Sequence, residues 1–332
     1  MKKYIISIII VAATLLVGCN HKDLCYHHPH SANVRVEFDW INAPEANPEG
    51  MSVWFYSKTY GNVQRFDFAG REGGMVELLV GEYEVLCFNN DTEAVLFRGS
   101  NAYNQHEAYT REGDILESIY GNGSRSEAPR AEDTENQAVV ISPDELWGSG
   151  VTNVVITDYG LSYTCTPYDG AVEQETITSE EYVITLYPEE RFCIYTYEIR
   201  NIVNLEHAVQ MCGTISGMSN SAYIASGDLG RELVIVPFGA NIGQNDVTGR
   251  FLTFGHHEEN VEPHKFVLYV WMEDGSKWYY TFDVTDQVHS APNKRRVHIV
   301  IDNLELPTPV GGDEGFDVAV DDWVNENVDI QM

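Results

Sequence analysis

The sequence is short of basic residues, of paired cysteines and of catalytic signatures. Only 20 Lys and Arg stand against 51 Asp and Glu in 332 residues, a formal net charge of -31. Such a chain repels nucleic acid, which is itself a polyanion, and makes a poor docking partner for an anionic membrane surface. There are six cysteines and no C-x-x-C pair. Apart from Cys19 they are Cys25, Cys87, Cys165, Cys193 and Cys212, odd in number and widely dispersed. That pattern is neither a disulfide framework nor a zinc site. G-x-S-x-G, H-E-x-x-H, a phosphate-binding loop and a dinucleotide fingerprint are all missing. No long amphipathic helical pattern and no fixed-period repeat is visible. No catalytic residue, metal or cofactor is therefore expected, and the chain does not read as an enzyme.

What is present begins with an address. Lys2 and Lys3 precede an apolar run over residues 5–17, too short for an ordinary transmembrane helix. The run ends in Leu16-Val17-Gly18-Cys19, which resembles a bacterial lipobox. Residues 1–18 are then a lipoprotein signal peptide, and Cys19 is the lipidated first residue of the mature chain. Multiple acyl chains hold a protein to a bilayer far better than one. The expected location is the outer membrane or cell surface, with the membrane reached through the lipid. Residues 19–32 read as a tether. Its His21, His27, His28 and His30 are of a type that binds metals. A Pro among them and no carboxylate scaffold favour a plain polar spacer.

The body of the chain, with 43% apolar residues, can bury real cores. Val34, Val36, Phe38 and Trp40 alternate with Arg35, Glu37 and Asp39, a half-buried strand. Further strand patterns fall at 52–57, 63–68, 75–80 and 83–88, broken by Gly and Asn. Residues 33–137 are predicted as an N-terminal β-sandwich with a trailing, partly mobile loop. Ser142-Pro143-Asp144-Glu145 has the chemistry of a helix start. Residues 138–306 are predicted as a C-terminal β-sandwich. It closes on a hairpin over residues 265–284, turned at Glu273-Asp274-Gly275-Ser276, and a strand through Val297, Ile299 and Ile301. Phe266, Leu268 and Val270 alternate with Val267, Tyr269 and Trp271, so that strand has two apolar faces and must lie between layers. The predicted class is all-β, two tandem transthyretin-like or Ig-like sandwiches.

Several residue groups invite a functional reading. His256-His257-Glu258-Glu259 with His264 holds metal-donor types, though a solvated loop between strands accounts for it more simply. Asn89-Asn90-Asp91-Thr92-Glu93 offers oxygen donors without calcium-loop spacing and reads equally well as a turn. Among six Trp and nineteen Tyr, Trp54, Trp147 and Trp323 are the open candidates for stacking on sugar rings. The acidic tail, residues 307–332, carries Phe316, Val318, Val320, Trp323 and Val324 in a strand-like pattern. It is either an extension packed on its own domain or a strand donated to a groove of another subunit.

Three stretches carry a family likeness. They are residues 195–205, the run Gly213-Thr214-Ile215-Ser216-Gly217-Met218, and Phe282-Asp283-Val284-Thr285-Asp286-Gln287 before the strand ending Leu304-Glu305-Leu306-Pro307. With the lipobox, they resemble a family of Bacteroidales lipoproteins similar to the fimbrillin-associated anchor proteins of the same bacteria. The resemblance implies two transthyretin-like sandwiches, a lipid anchor, and a role in adhesion or pilus assembly as a fimbrial anchor or accessory subunit. Its partner would be a fimbrial subunit joined by β-strand addition. It supplies no catalytic residue. A glycan-binding surface lipoprotein is the alternative.

Overall fold

The computed structural model describes residues 31–121, 128–157, 182–308 and 323–326. The chain first lays down β1 (Ser31–Phe38), β2 (Gly50–Ser57), β3 (Val63–Ala69), β4 (Gly74–Leu79) and β5 (Gly81–Asn89). An excursion follows, with β6 (Val95–Arg98), β7 (Glu107–Thr110), the helical turn α1 (Glu117–Tyr120) and β8 (Ala138–Val139). The chain then returns through β9 (Trp147–Ile156), β10 (Tyr182–Leu186) and β11 (Glu189–Glu190). Next come β12 (Cys193–Arg200), β13 (Ala208–Ser219), β14 (Ser221–Tyr223), β15 (Leu233–Gly239), β16 (Asn241–Ile242) and β17 (Val247–Thr253). The last elements are β18 (Lys265–Met272), β19 (Lys277–Asp283), α2 (Thr285–His289), β20 (Arg296–Asp302) and β21 (Trp323–Glu326).

The described chain is nearly all β and makes two sandwiches. In the first, a three-stranded sheet in the order β10-β1-β4 packs on a five-stranded sheet in the order β11-β9-β5-β2-β3. The alternation expected in β1 is observed: Val34 and Val36 are fully buried and meet Val53, Phe55 and Val85. Tyr83 is buried, and its hydroxyl donates to the Leu79 carbonyl at 2.7 Å, clamping the bend between β4 and β5. In the second, a four-stranded sheet in the order β16-β17-β12-β20 faces a six-stranded sheet in the order β21-β19-β18-β13-β15-β8. Phe238 and Phe251 stack across this core with ring centres 4.2 Å apart.

The expected hairpin is present. Asp274 Oδ1 accepts the Ser276 amide at 2.9 Å, and Gly275 takes a positive φ of 84°, so side chain and backbone together close the turn. The burial of β18 on both faces has a different cause from the expected second sheet alone. Phe266, Leu268 and Val270 face the four-stranded sheet. Val267 and Tyr269 face the excursion, against Ile115, Leu116, Ala128 and Ala131. Described parts of the segment expected to be a mobile loop are thus a covering layer. Tyr269 holds it by donating its hydroxyl to the Pro129 carbonyl at 2.6 Å.

Two sequence-based expectations are corrected. The boundary between residues 137 and 138 is not where the sheets divide. β9 pairs with β5 and β10 pairs in parallel with β1, so both belong to the first sandwich. Apolar alternation marks a strand without naming its partner, and these partners lie far away in sequence. Nor is there a helix at Ser142-Pro143-Asp144-Glu145. The capping groups are taken by tertiary partners instead. Ser142 Oγ donates to the Leu252 carbonyl at 2.8 Å and accepts its amide at 3.1 Å. Asp144 accepts the amides of Glu93 and Ala94.

The two sandwiches are joined by backbone pairing. β14, from the second half of the chain, adds to β7, making a three-stranded sheet in the order β14-β7-β6. That sheet lies over the outer face of the five-stranded sheet, where Leu86 and Phe88 meet Val95, Ala108, Ala222 and Phe254.

Candidate functional sites at a sheet edge, a domain junction and a histidine cluster

The sheet edge comes first. β21 runs parallel to β19, pairing Trp323 with Lys277 through Glu326 with Tyr280. The pairing puts Trp323 on the face of the sheet that carries Tyr269 and Trp271. Its ring meets theirs edge-on, with centres 5.3 Å and 5.1 Å away. The next residue, Val324, is 41% exposed. Of the tail residues singled out in the sequence, the structure therefore brings Trp323 and Val324 to the edge of the six-stranded sheet. Phe316, Val318 and Val320 lie outside the described residues, as do Cys19 and the tether histidines. Leu304 and Leu306 are already buried in the second core, so β21 is an addition to a sandwich that closes before it.

The domain junction carries an open groove of about 860 Å³, bordered by Arg98, Tyr103, Glu107, Tyr223, Arg231 and His257. Arg98 binds Glu107 through two nitrogens, at 2.6 Å and 3.0 Å, and Ser221 Oγ also donates to Glu107. These donors hold the Glu107 carboxyl below the usual carboxylate range although burial opposes them. Beside it, His106 is 1% exposed, with Nδ1 2.8 Å from the Tyr56 hydroxyl and its ring edge-on to Trp54 and Phe88. Burial pushes its pKa down to about 4, with Arg65 adding to the effect. A neutral ring is thus built into the junction.

The third place is a histidine cluster at one end of the second sandwich. His256 follows β17, His264 immediately precedes β18, and His289 ends α2. Their ring centres are 5.1 Å, 5.2 Å and 5.4 Å apart. His256 is 6% exposed and His264 fully buried, so these two depart from the solvated loop expected here, while the loop between them is exposed at Glu258, Glu259, Val261 and Glu262. Burial depresses the pKa of both, that of His256 to about 4. Their neighbours His257, Glu258 and Glu259 do not enter the cluster: His257 Nε2 lies 2.6 Å from the Gly230 carbonyl, and Glu258 and Glu259 are exposed. Sequence reasoning missed His289, which stands 25 residues beyond His264.

The remaining candidates resolve into structure. Trp147 is 9% exposed and packs edge-on against Phe192, which removes it as a sugar platform. Trp54 is half-buried beneath the Arg65 guanidinium. Asp91 accepts the Asn89 side-chain amide at 2.7 Å and the Glu49 amide at 2.8 Å, as a turn does.

A curated Bacteroides ovatus protein, provisionally named fimbrium anchoring subunit Fim4B, is 25% identical over 262 residues, covering 79% of this chain and 68% of its own length. A solved Bacteroides ovatus protein, provisionally classed as an adhesin, superposes with a TM-score of 0.62 at 22% identity, covering 90% of this chain and 99% of that chain. A Bacteroides thetaiotaomicron structure, provisionally assigned to polysaccharide binding, gives a TM-score of 0.50 at 11% identity over 82% of this chain and 91% of its own. The two structures speak to the fold alone. The family described as a domain of unknown function, DUF5119, matches residues 18–239, more than half of the sequence, and the chain belongs to that family.

Proposed function

We propose that this chain is a structural, non-enzymatic subunit of a surface fimbria, an anchor or accessory piece held to the outer membrane by lipid on Cys19. It joins a neighbouring fimbrial subunit by β-strand addition, donating its tail, of which β21 is the described part, to a groove of that subunit. One observation carries the reading: β21 is a short strand added to a sandwich already closed at Leu306, held by a four-residue ladder and a single aromatic peg. Aromatic edge contacts contribute about 0.5–1.5 kcal/mol each, so such a strand is exchangeable on the scale of a protein interface. Once released, its amides and carbonyls are free to pair with the sheet edge of another subunit, and Trp323 and Val324 become available as apolar pegs. The fimbrium-anchoring name of the 25% identical relative supports the same reading.

The test is capture from the native bacterium with the tagged full-length lipoprotein beside a version ending at Pro307. A fimbrial subunit retained by the full-length protein and lost from the folded, shortened one is the expected result. Equal capture by both, or by neither, overturns strand addition through the tail. Protease treatment of intact cells tests display: a protected chain contradicts a surface location.

Glycan binding is the second reading. The feature that favours it is the junction groove, where Tyr103 and Tyr223 stand among the charged side chains of Arg98, Glu107 and Arg231. A glycan array without a hit for the full chain removes it.

A further inference from the structure

We propose that His256, His264 and His289 form a binding site for a borderline divalent cation of the zinc class, which ties together the end of β17, the start of β18 and helix α2. The argument starts from spacing. Three imidazoles bound at about 2.0–2.1 Å in a tetrahedral shell have donor nitrogens roughly 3.3 Å apart and ring centres roughly 5 Å apart. Here His264 Nε2 and His289 Nε2 are 3.1 Å apart, and the three ring centres lie within 5.1–5.4 Å of one another.

Hydrogen bonding then orients the donors. His264 Nδ1 lies 2.9 Å from the Ser216 carbonyl and must carry a proton to bond to it, which leaves the lone pair on Nε2. A ring whose far nitrogen donates to a backbone carbonyl is the usual support of a metal-binding histidine. His256 Nδ1 lies 2.9 Å from the Tyr195 hydroxyl, which can accept or donate, and the metal-binding tautomer is the one in which Nδ1 donates to it. Its Nε2 is buried and has no hydrogen-bond partner. A buried orphan of this kind calls for a missing partner, and a cation is one that all three rings can share.

The backbone makes room for this arrangement. The register of β13 against β15 shifts between Ile215 and Met218, and Gly217 sits in the bulge at a φ of +77°. A Cβ at Gly217 would stand 2.7 Å from His264 Nδ1. Two charged side chains act on the cluster: Lys294, with its Nζ bound to the His289 carbonyl, opposes a cation there, and Asp283, paired with Lys265, favours one. No three His, Cys, Asp or Glu donors among the described residues are closed around one point. Binding therefore requires the His256 ring to turn toward the 264–289 pair. Imidazole-only donors select Zn²⁺, Ni²⁺, Co²⁺ or Cu²⁺ over Ca²⁺ and Mg²⁺.

The experiment titrates Zn²⁺, then Co²⁺, into the full chain with His21, His27, His28 and His30 replaced by Ser, which silences the tether. One ion per chain is expected, with tetrahedral Co²⁺ absorption and a melting temperature that falls when a chelator is added. Affinity should drop at least tenfold in His264→Gln and in His289→Gln. His289 is only half-buried, so its variant keeps the test alive if His264→Gln fails to fold. No binding by the parent protein, or equal binding by parent and His289→Gln, overturns the proposal and leaves a hydrogen-bonded histidine cluster.

Discussion

Acid should loosen the junction between the sandwiches through one residue, His106. Its folded pKa is about 4, against an ordinary value of 6.5. Above pH 6.5 the ring is neutral folded or unfolded and adds no pH dependence. Between pH 6.5 and 4 the unfolded chain takes up a proton that the folded chain refuses, so stability falls as pH falls. Each pH unit of displacement is worth about 1.36 kcal/mol, or about 3.4 kcal/mol over the whole window. Relaxation of the surroundings and water penetration around a newly charged buried ring reduce this to about 2 kcal/mol. Below pH 4 both states carry the proton and this contribution levels off. The assay is urea unfolding at half-unit steps from pH 7.5 to 4, followed by far-UV circular dichroism, for the parent protein and His106→Gln. Other groups titrate in both proteins, so the quantity of interest is the difference between the two curves. The parent should lose about 2 kcal/mol more than the variant across the window. Parallel curves would refute the reasoning, because a ring that stays neutral by burial must show this slope.

Two further outcomes follow from packing. Leu86 is fully buried between the five-stranded sheet and the three-stranded junction sheet, so Leu86→Ala should cost about 2–5 kcal/mol in denaturant unfolding; a loss below 1 kcal/mol would mean that the junction sheet is not packed there. Tyr269→Phe removes the bond to the Pro129 carbonyl and should cost about 1 kcal/mol. Amide exchange over residues 128–140 should quicken in that variant while exchange in β12 and β20 stays unchanged, and uniform acceleration would count against a local clamp.

Much of the fold is legible in the residues. Period-two alternation places β1 and β20, and an Asp-Gly turn places the β18–β19 hairpin. The two apolar faces of β18 announce a layer on each side. Local pattern does not say what the second layer is. Here it is a segment so rich in breakers and polar residues that it reads as a loop, and it is held by Tyr269 and a few small apolar side chains. The helix start at Ser142 fails for a related reason. A hydroxyl and a carboxylate suited to capping serve equally well to bind Leu252, Glu93 and Ala94, and the choice belongs to the neighbours.

The candidate sites divide in the same way. Trp323 and Val324 stand out in the sequence as a strand-like end beyond a finished domain, and they do lie on a sheet edge. The histidine cluster is legible only in part: His256 and His264 stand out as donor types, but His289 follows no motif spacing and joins them only where β17 ends, β18 begins and α2 closes. By itself the sequence determined the all-β class and the approximate course of several strands, since each rests on local patterning. Tertiary structure alone decided that β9 and β10 complete the first sandwich, that the excursion covers the second, and that three distant imidazoles share one end of it. Those outcomes depend on long-range pairing, whose energy is spread over surfaces that no local stretch of residues contains.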